Sequence, residues 1–172
     1  RDNLVYEPDK PLYHGDFVNF QLENNLQLVR PLANAMNDFA ATQGDKGWRY
    51  QVRTADTDWQ DLPTFDDARQ AWCFFPEDKL AWISRFELFA AEATTAVAKV
   101  WQAPVAGTVA IRSRALKTYG GGSRVMLEIT RNDHVLVGPQ ECVGIEREGY
   151  ELNLEELSVE AGDLIRFVVG GP

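Results

Sequence analysis

Alternation with a period of two runs through the second half of the chain and limits its fold more than any other feature. Val125, Leu127 and Ile129 fall on one side of an extended backbone, with Arg124, Glu128 and Thr130 on the other. Successive side chains of a strand point to opposite faces, so this is how a half-buried strand reads. Ile165, Phe167 and Val169 alternate about Arg166 in the same way, and Val109 and Ile111 alternate with Ala110 and Arg112. Leu152, Leu154 and Leu157 surround a less regular stretch that ends in Ser158-Val159. Turn residues punctuate these runs: Pro104 and Gly107, Gly120-Gly121-Gly122, Asn132-Asp133, Gly138-Pro139, Gly149 and Gly162-Asp163. Short strands separated in this way predict an all-β chain, an antiparallel β-sandwich or barrel and not parallel βαβ units. Asn132-Asp133 falls between the runs 125–131 and 135–137, where a tight hairpin turn belongs.

The first half carries fewer signals. Trp48, Tyr50 and Val52 alternate with Arg49, Gln51 and Arg53, another strand with an aromatic inner face. Residues 56–67 read as an acidic loop containing Pro63. Residues 87–98 are rich in Ala, the best helix former, so a short helix is expected around 86–92 and a similar one over Leu32–Phe39. Gly15-Asp16-Phe17-Val18-Asn19-Phe20 echoes Gly162-Asp163-Leu164-Ile165-Arg166-Phe167. Residues 1–24 are therefore either a strand of the same sandwich or the tail of a preceding domain of the same kind, with the main domain over 25–172.

Of the 172 residues, 45% are hydrophobic and 25% charged, which allows a packed core and excludes wholesale disorder. Seventeen Lys and Arg against 26 Asp and Glu leave a net charge of −9. A field of that sign repels phosphate backbones and anionic lipid, so nucleic acid is not the expected partner. The longest apolar run, Ala71 to Phe75, falls far short of the ~20 residues that span a bilayer, so no membrane insertion is expected. The chain opens at Arg1 with no basic and apolar leader and reads as a piece of a longer polypeptide. Cys73 and Cys142 match no zinc spacing; they are two small buried residues or one disulfide bridge.

No catalytic signature emerges. Tyr119-Gly120-Gly121-Gly122-Ser123 lacks the G-x-S-x-G elbow, and the same glycines lack the third Gly of a dinucleotide loop. Only His14 and His134 are present, and His134 follows the expected Asn132-Asp133 turn. Asp56, Asp58 and Asp61 resemble the start of a calcium loop, but Gln60 and Asp61 stand where an EF-hand needs an oxygen ligand and Gly. A simpler structural calcium site or a solvated acidic loop remain as readings, and no other cofactor is expected.

Three stretches together resemble a family. Asn37 to Tyr50 (NDFAATQGDKGWRY) resembles the DFS-x-x-QG-x-x-GW-x-Y opening of jelly-roll modules in secreted bacterial polysaccharide-degrading enzymes. Val97 to Ile111 (VAKVWQAPVAGTVAI) resembles their V-x-x-W-x-AP-x-xG-x-V-x-I stretch, and Leu157 to Phe167 (LSVEAGDLIRF) their closing L-x-V-x-xGD-x-I-x-F strand. The resemblance implies a jelly-roll β-sandwich and a non-catalytic carbohydrate-binding module, secreted or at the cell surface. A polysaccharide or glycan and the neighbouring domains of the parent chain would be its partners. The alternative is a structural module that packs between domains, marked by an apolar patch that the parent chain covers.

Proteins that hold sugars stack Trp or Tyr against the C–H faces of the ring and hydrogen-bond the rim hydroxyls. Trp59, flanked by Asp58 and Gln60, is the expected platform, unless it leans on the sandwich instead. Tyr119 before the three glycines and Tyr150 after Gly149 are the other loop aromatics, and Arg53 and Asn132 the expected polar contacts. Arg49, Arg112 and Arg124 either contact acidic sugars with Arg53 or balance the surplus acids across the sheet. Trp48, Tyr50, Trp72, Trp82 and Trp101 are expected in the core, and Asp163 is expected to bond its own turn.

Overall fold

A computed structural model describes residues 32–77, 79–118, 124–142 and 149–170. The echo at residues 15–20, Tyr119, the Gly120-Gly121-Gly122 run and the 1–24 boundary lie outside them. The described residues contain fourteen strands and one short 3-10 turn, Asp45–Gly47. Every strand pairing is antiparallel.

One layer is a six-stranded sheet. It holds β1 (Trp48–Arg53), β2 (Gln60–Asp61), β7 (Ala96–Gln102), β10 (Val125–Arg131), β11 (His134–Cys142) and β14 (Leu164–Gly170), in the order β11-β10-β14-β7-β1-β2. The other layer is divided. A four-stranded sheet runs in sequence order through β3 (Thr64–Asp66), β4 (Ala71–Cys73), β5 (Ala81–Ser84) and β6 (Leu88–Ala90). Two further pairs join β8 (Gly107–Ile111) to β13 (Leu154–Val159), and β9 (Arg114–Ala115) to β12 (Tyr150–Glu151).

The period-two pattern decides what lies between the layers. Trp48, Tyr50 and Val52 of β1, Val97 and Trp101 of β7, Leu127 and Ile129 of β10 and Ile165 of β14 form one buried cluster. Trp72, Ala81 and Ile83 from the four-stranded sheet, and Ile111, Leu157 and Val159 from β8 and β13, complete it. Tyr50 stacks on Trp72 at 5.7 Å and meets Phe39 edge-on at 4.8 Å, which ties the two layers through aromatic contacts. Cys73 lies in β4, where its thiol donates to the Thr64 carbonyl, and Cys142 ends β11; both are buried.

The motif residues have structural duties. Gln43 acts as a substitute strand. Its amide nitrogen donates to the Tyr50 and Leu62 carbonyls at 3.1 and 3.0 Å, and its oxygen accepts the Tyr50 N–H at 2.9 Å. Gly47 adopts φ +81°, and a Cβ there would stand 3.0 Å from the Gln102 carbonyl, so only Gly suits this turn. Asn132 has φ 54° and turns β10 into β11, as the hairpin reading expected. Its amide donates to Asp163 Oδ1 at 2.9 Å and its Oδ1 accepts the Leu164 N–H at 3.0 Å, which fastens this turn to the start of β14. Asp163 also accepts the Glu160 N–H of its own turn, and these bonds hold its carboxyl below the usual carboxylate range.

Three expectations need correction. The Ala-rich stretch around 86–92 is not helical: Leu88–Ala90 is strand β6, paired with β5, because Leu88 and Ala90 face the core and pairing outweighs propensity. Leu32–Phe39 holds turns only, in which the Asn34 side chain accepts the N–H groups of Met36 and Asn37. Trp82 is half-buried on the outward face of its sheet, not in the core, and stacks on Phe89 at 5.6 Å. The acidic loop is also more ordered than expected, since β2 and β3 lie within it.

Candidate functional site

The outer face of the six-stranded sheet brings together Trp59, Arg53, Gln51 and Arg166. On β1, Arg49, Gln51 and Arg53 point opposite to the core aromatics, as the alternation requires. Ala96, Ala98 and Val100 of β7 and Val168 of β14 form a second, smaller apolar cluster on this face, and Trp59 packs against it. The ring is half-buried, with exposed Asp58 and Gln60 beside it. The Arg53 guanidinium lies 4.8 Å from the Trp59 ring centroid and that of Arg166 lies 5.5 Å away, two cation–π contacts on one indole.

A chain of polar contacts continues beneath the ring. Arg166 Nε donates to Gln51 Oε1 at 3.1 Å, and Gln51 Nε2 donates to Asp61 Oδ1 at 2.9 Å. Asp61 also pairs with Arg49, and Arg166 reaches the Asn132 carbonyl. Burial lowers the Arg166 pKa and the like charge of Arg53 adds to this, with Asp133 acting in the opposite direction. These contacts fix both the ring and the groups under it.

The expected residues divide clearly. Trp59 and Arg53 meet. Asn132 is exposed, but its amide groups are engaged in the β10–β14 junction. Tyr150 opens β12 opposite Ala115 and packs half-buried against the main core, not at a loop tip. Asp56 and Asp58 are exposed, while the Asp61 carboxylate faces Arg49 and Gln51. Among the described residues no group of three His, Cys, Asp or Glu comes together to hold a metal. Arg49, Arg112 and Arg124 pair with Asp61, Glu155 and Glu141, so they balance acids across the sheets. Arg53 has no carboxylate partner among the described residues, and this singles it out from the other three.

Gln51 and Arg166 escaped the sequence reading. Arg166 is the one charged residue in the run 164–169, and that isolation was the available signal. An apolar cleft of about 90 Å³ lies between β8 and the inner sheet face, lined by Trp48, Trp101, Val109, Ile111 and Phe167. Its one charged wall residue, Arg112, is already bonded to Glu155 and the Leu154 carbonyl, so the cleft offers little to orient a sugar.

Lys99 is the other unusual group. It stands on the core side of β7 between Val97 and Trp101 and is 1% exposed. Its ammonium donates to the Arg85 carbonyl at 2.6 Å and lies 5.8 Å from the Phe39 ring centroid. No carboxylate pairs with it among the described residues. Burial, with a smaller push from the Arg85 charge, brings its pKa down to about 7.

No family model, no curated protein and no solved structure matches this chain.

Proposed function

We propose that this domain is a non-catalytic carbohydrate-binding module with a jelly-roll sandwich, part of a larger protein that is secreted or displayed at the cell surface. The observation that carries the reading is the pairing of Trp59 with Arg53 on the outer sheet face. A half-exposed indole fixed over a sheet suits the apolar face of a pyranose. A guanidinium without a carboxylate partner suits the hydroxyls or the carboxylate at the rim of that sugar. In a chain of net charge −9, this is a local positive group where an acidic sugar could be held.

Affinity electrophoresis through gels containing neutral or uronate-rich polysaccharides tests the proposal. The wild-type chain is expected to be retarded by at least one polysaccharide, most by an acidic one, and Trp59→Ala to weaken the retardation about tenfold or more. Both proteins should unfold at similar urea concentrations, since Trp59 lies outside the main core. A wild-type chain that no polysaccharide retards would overturn the reading.

A second reading, a structural module packed between domains, is favoured by one observation. Phe75, Leu80, Phe86 and Phe89 are all large, apolar and exposed, and all four lie in or next to strands β4 to β6 of the four-stranded sheet that carries Trp82. Such a patch is what a neighbouring domain covers.

A further inference from the structure

Trp59 is not a bare platform. One side of the indole packs on Ala96, Ala98, Val100 and Val168 of the outer sheet face. Arg166, whose Cζ lies 5.5 Å from the ring centroid, is only 6% exposed and is fastened to Gln51, so it belongs to the buried surroundings of the ring. Arg53 differs. It is exposed, and its guanidinium lies over the ring at 4.8 Å from the centroid, which puts it on the side of the indole that solvent reaches. A pyranose stacked on that side needs the space the guanidinium occupies. The hold on Arg53 is weak and single. No carboxylate and no hydrogen-bond acceptor among the described residues takes its guanidinium, so the indole is the partner that keeps it in place. A cation–π contact at an exposed site is worth a factor of about two to five in an equilibrium. Arg53 is also the last residue of β1, and its long side chain can swing off the ring without moving the strand.

We infer that Arg53 covers the Trp59 platform and, because it must leave the ring before a sugar can stack, selects acidic sugars over neutral ones; the inference rests on the carbohydrate reading and gives it a specificity. A hexuronate carries its carboxylate at the edge of the pyranose ring. Arg53 can exchange the indole face for that carboxylate through two parallel N–H···O bonds between ionised groups, while the uncovered indole takes the C–H face of the sugar. A neutral pyranose must displace the same guanidinium and offers it only hydroxyls, without the opposite charge or the two-pronged geometry. The surroundings favour the exchange. The like charges of Arg53 and Arg166 act on each other, and a carboxylate brought to Arg53 offsets that repulsion. One cation thus serves as a cover against one class of sugar and as a contact for the other, so its removal has effects of opposite sign.

Arg53→Ala separates the two roles, and it keeps the fold because the side chain is exposed. In affinity gels, an uncharged β-glucan is expected to retard the variant about two- to fivefold more strongly than the wild-type chain. Polygalacturonate is expected to retard it more weakly, by about threefold or more. The cover itself is measured without any glycan. A neutral gadolinium chelate should broaden the Trp59 ring protons more in Arg53→Ala than in wild type, while the Trp82 ring, half-buried on the other layer, is unchanged. Equal broadening of Trp59 in the two proteins would overturn the inference, because Arg53 would then not shield the ring. So would retardation by the β-glucan that fails to increase, which would leave Arg53 an ordinary contact. If no polysaccharide retards either protein, the carbohydrate reading beneath the inference falls instead, whatever the broadening shows.

Discussion

Replacing Lys99 by Met is expected to stabilise the protein by about 2–4 kcal/mol at about pH 6. Met matches the length of the side chain and fills the same space between Val97 and Trp101, but removes a buried charge that has only the Arg85 carbonyl and the Phe39 ring to face. The pH dependence identifies the cause. The folded-state pKa of about 7 lies below the unfolded value of 10.5. Between these values the unfolded chain holds a proton that the folded chain lacks, so wild-type stability rises with pH across that window. Below about pH 7 the penalty is present in full. The advantage of Lys99→Met should thus be largest near about pH 6 and shrink by about pH 9.5. Tyr50 sets the upper limit of the experiment. Burial raises its hydroxyl to about 12, so stability is lost as pH rises from the unfolded value of 10.0 through that figure. Urea unfolding at the two pH values measures the difference. A variant less stable than wild type at both would contradict the account of Lys99 as an uncompensated charge.

Gln43→Ala is expected to cost about 3 kcal/mol, near 1 kcal/mol for each of the three hydrogen bonds lost. Those bonds hold the Tyr50 backbone and the Leu62 carbonyl, so the loss loosens the strand that carries Trp48, Tyr50 and Val52. Gln43→Glu separates the hydrogen bonds from simple space filling. A carboxylate can accept the Tyr50 N–H, but it has no donor for two carbonyls and is repelled by them. It should be at least as destabilising as Ala near neutral pH and recover in part in acid, where a protonated carboxyl regains one donor. Thermal unfolding of the two variants at both pH values tests this. A Glu variant as stable as wild type at neutral pH would contradict the assigned roles of the Gln43 amide.

The strands were legible where one face is core and the other is not. Val125, Leu127 and Ile129 pack against the core while Glu128 and Thr130 turn to the other face of β10, and the Asn132 turn after it was equally plain. Legibility failed at Leu88–Ala90. There a short edge strand of good helix formers is held by pairing to β5 and by two inward side chains, neither of which is encoded locally. Trp82 was misplaced for a related reason. Ala81 and Ile83 on either side are inward, so a strand puts Trp82 outward, whereas an apolar neighbourhood alone suggests the core. At the candidate site, Trp59 stood out by its polar neighbours and Arg53 as one arginine among several. Their meeting, and the presence of Gln51 and Arg166 beneath them, depends on the β1–β7–β14 register, which joins residues more than a hundred positions apart.

The glycan proposal is tested most directly by following the five tryptophan indole N–H resonances while an oligosaccharide from a retarding polysaccharide is titrated in. The Trp59 signal is predicted to shift and saturate, with the Arg53 side chain moving in step, while Trp48, Trp72 and Trp101 stay in place. Saturable binding that leaves Trp59 unmoved would contradict the proposed site.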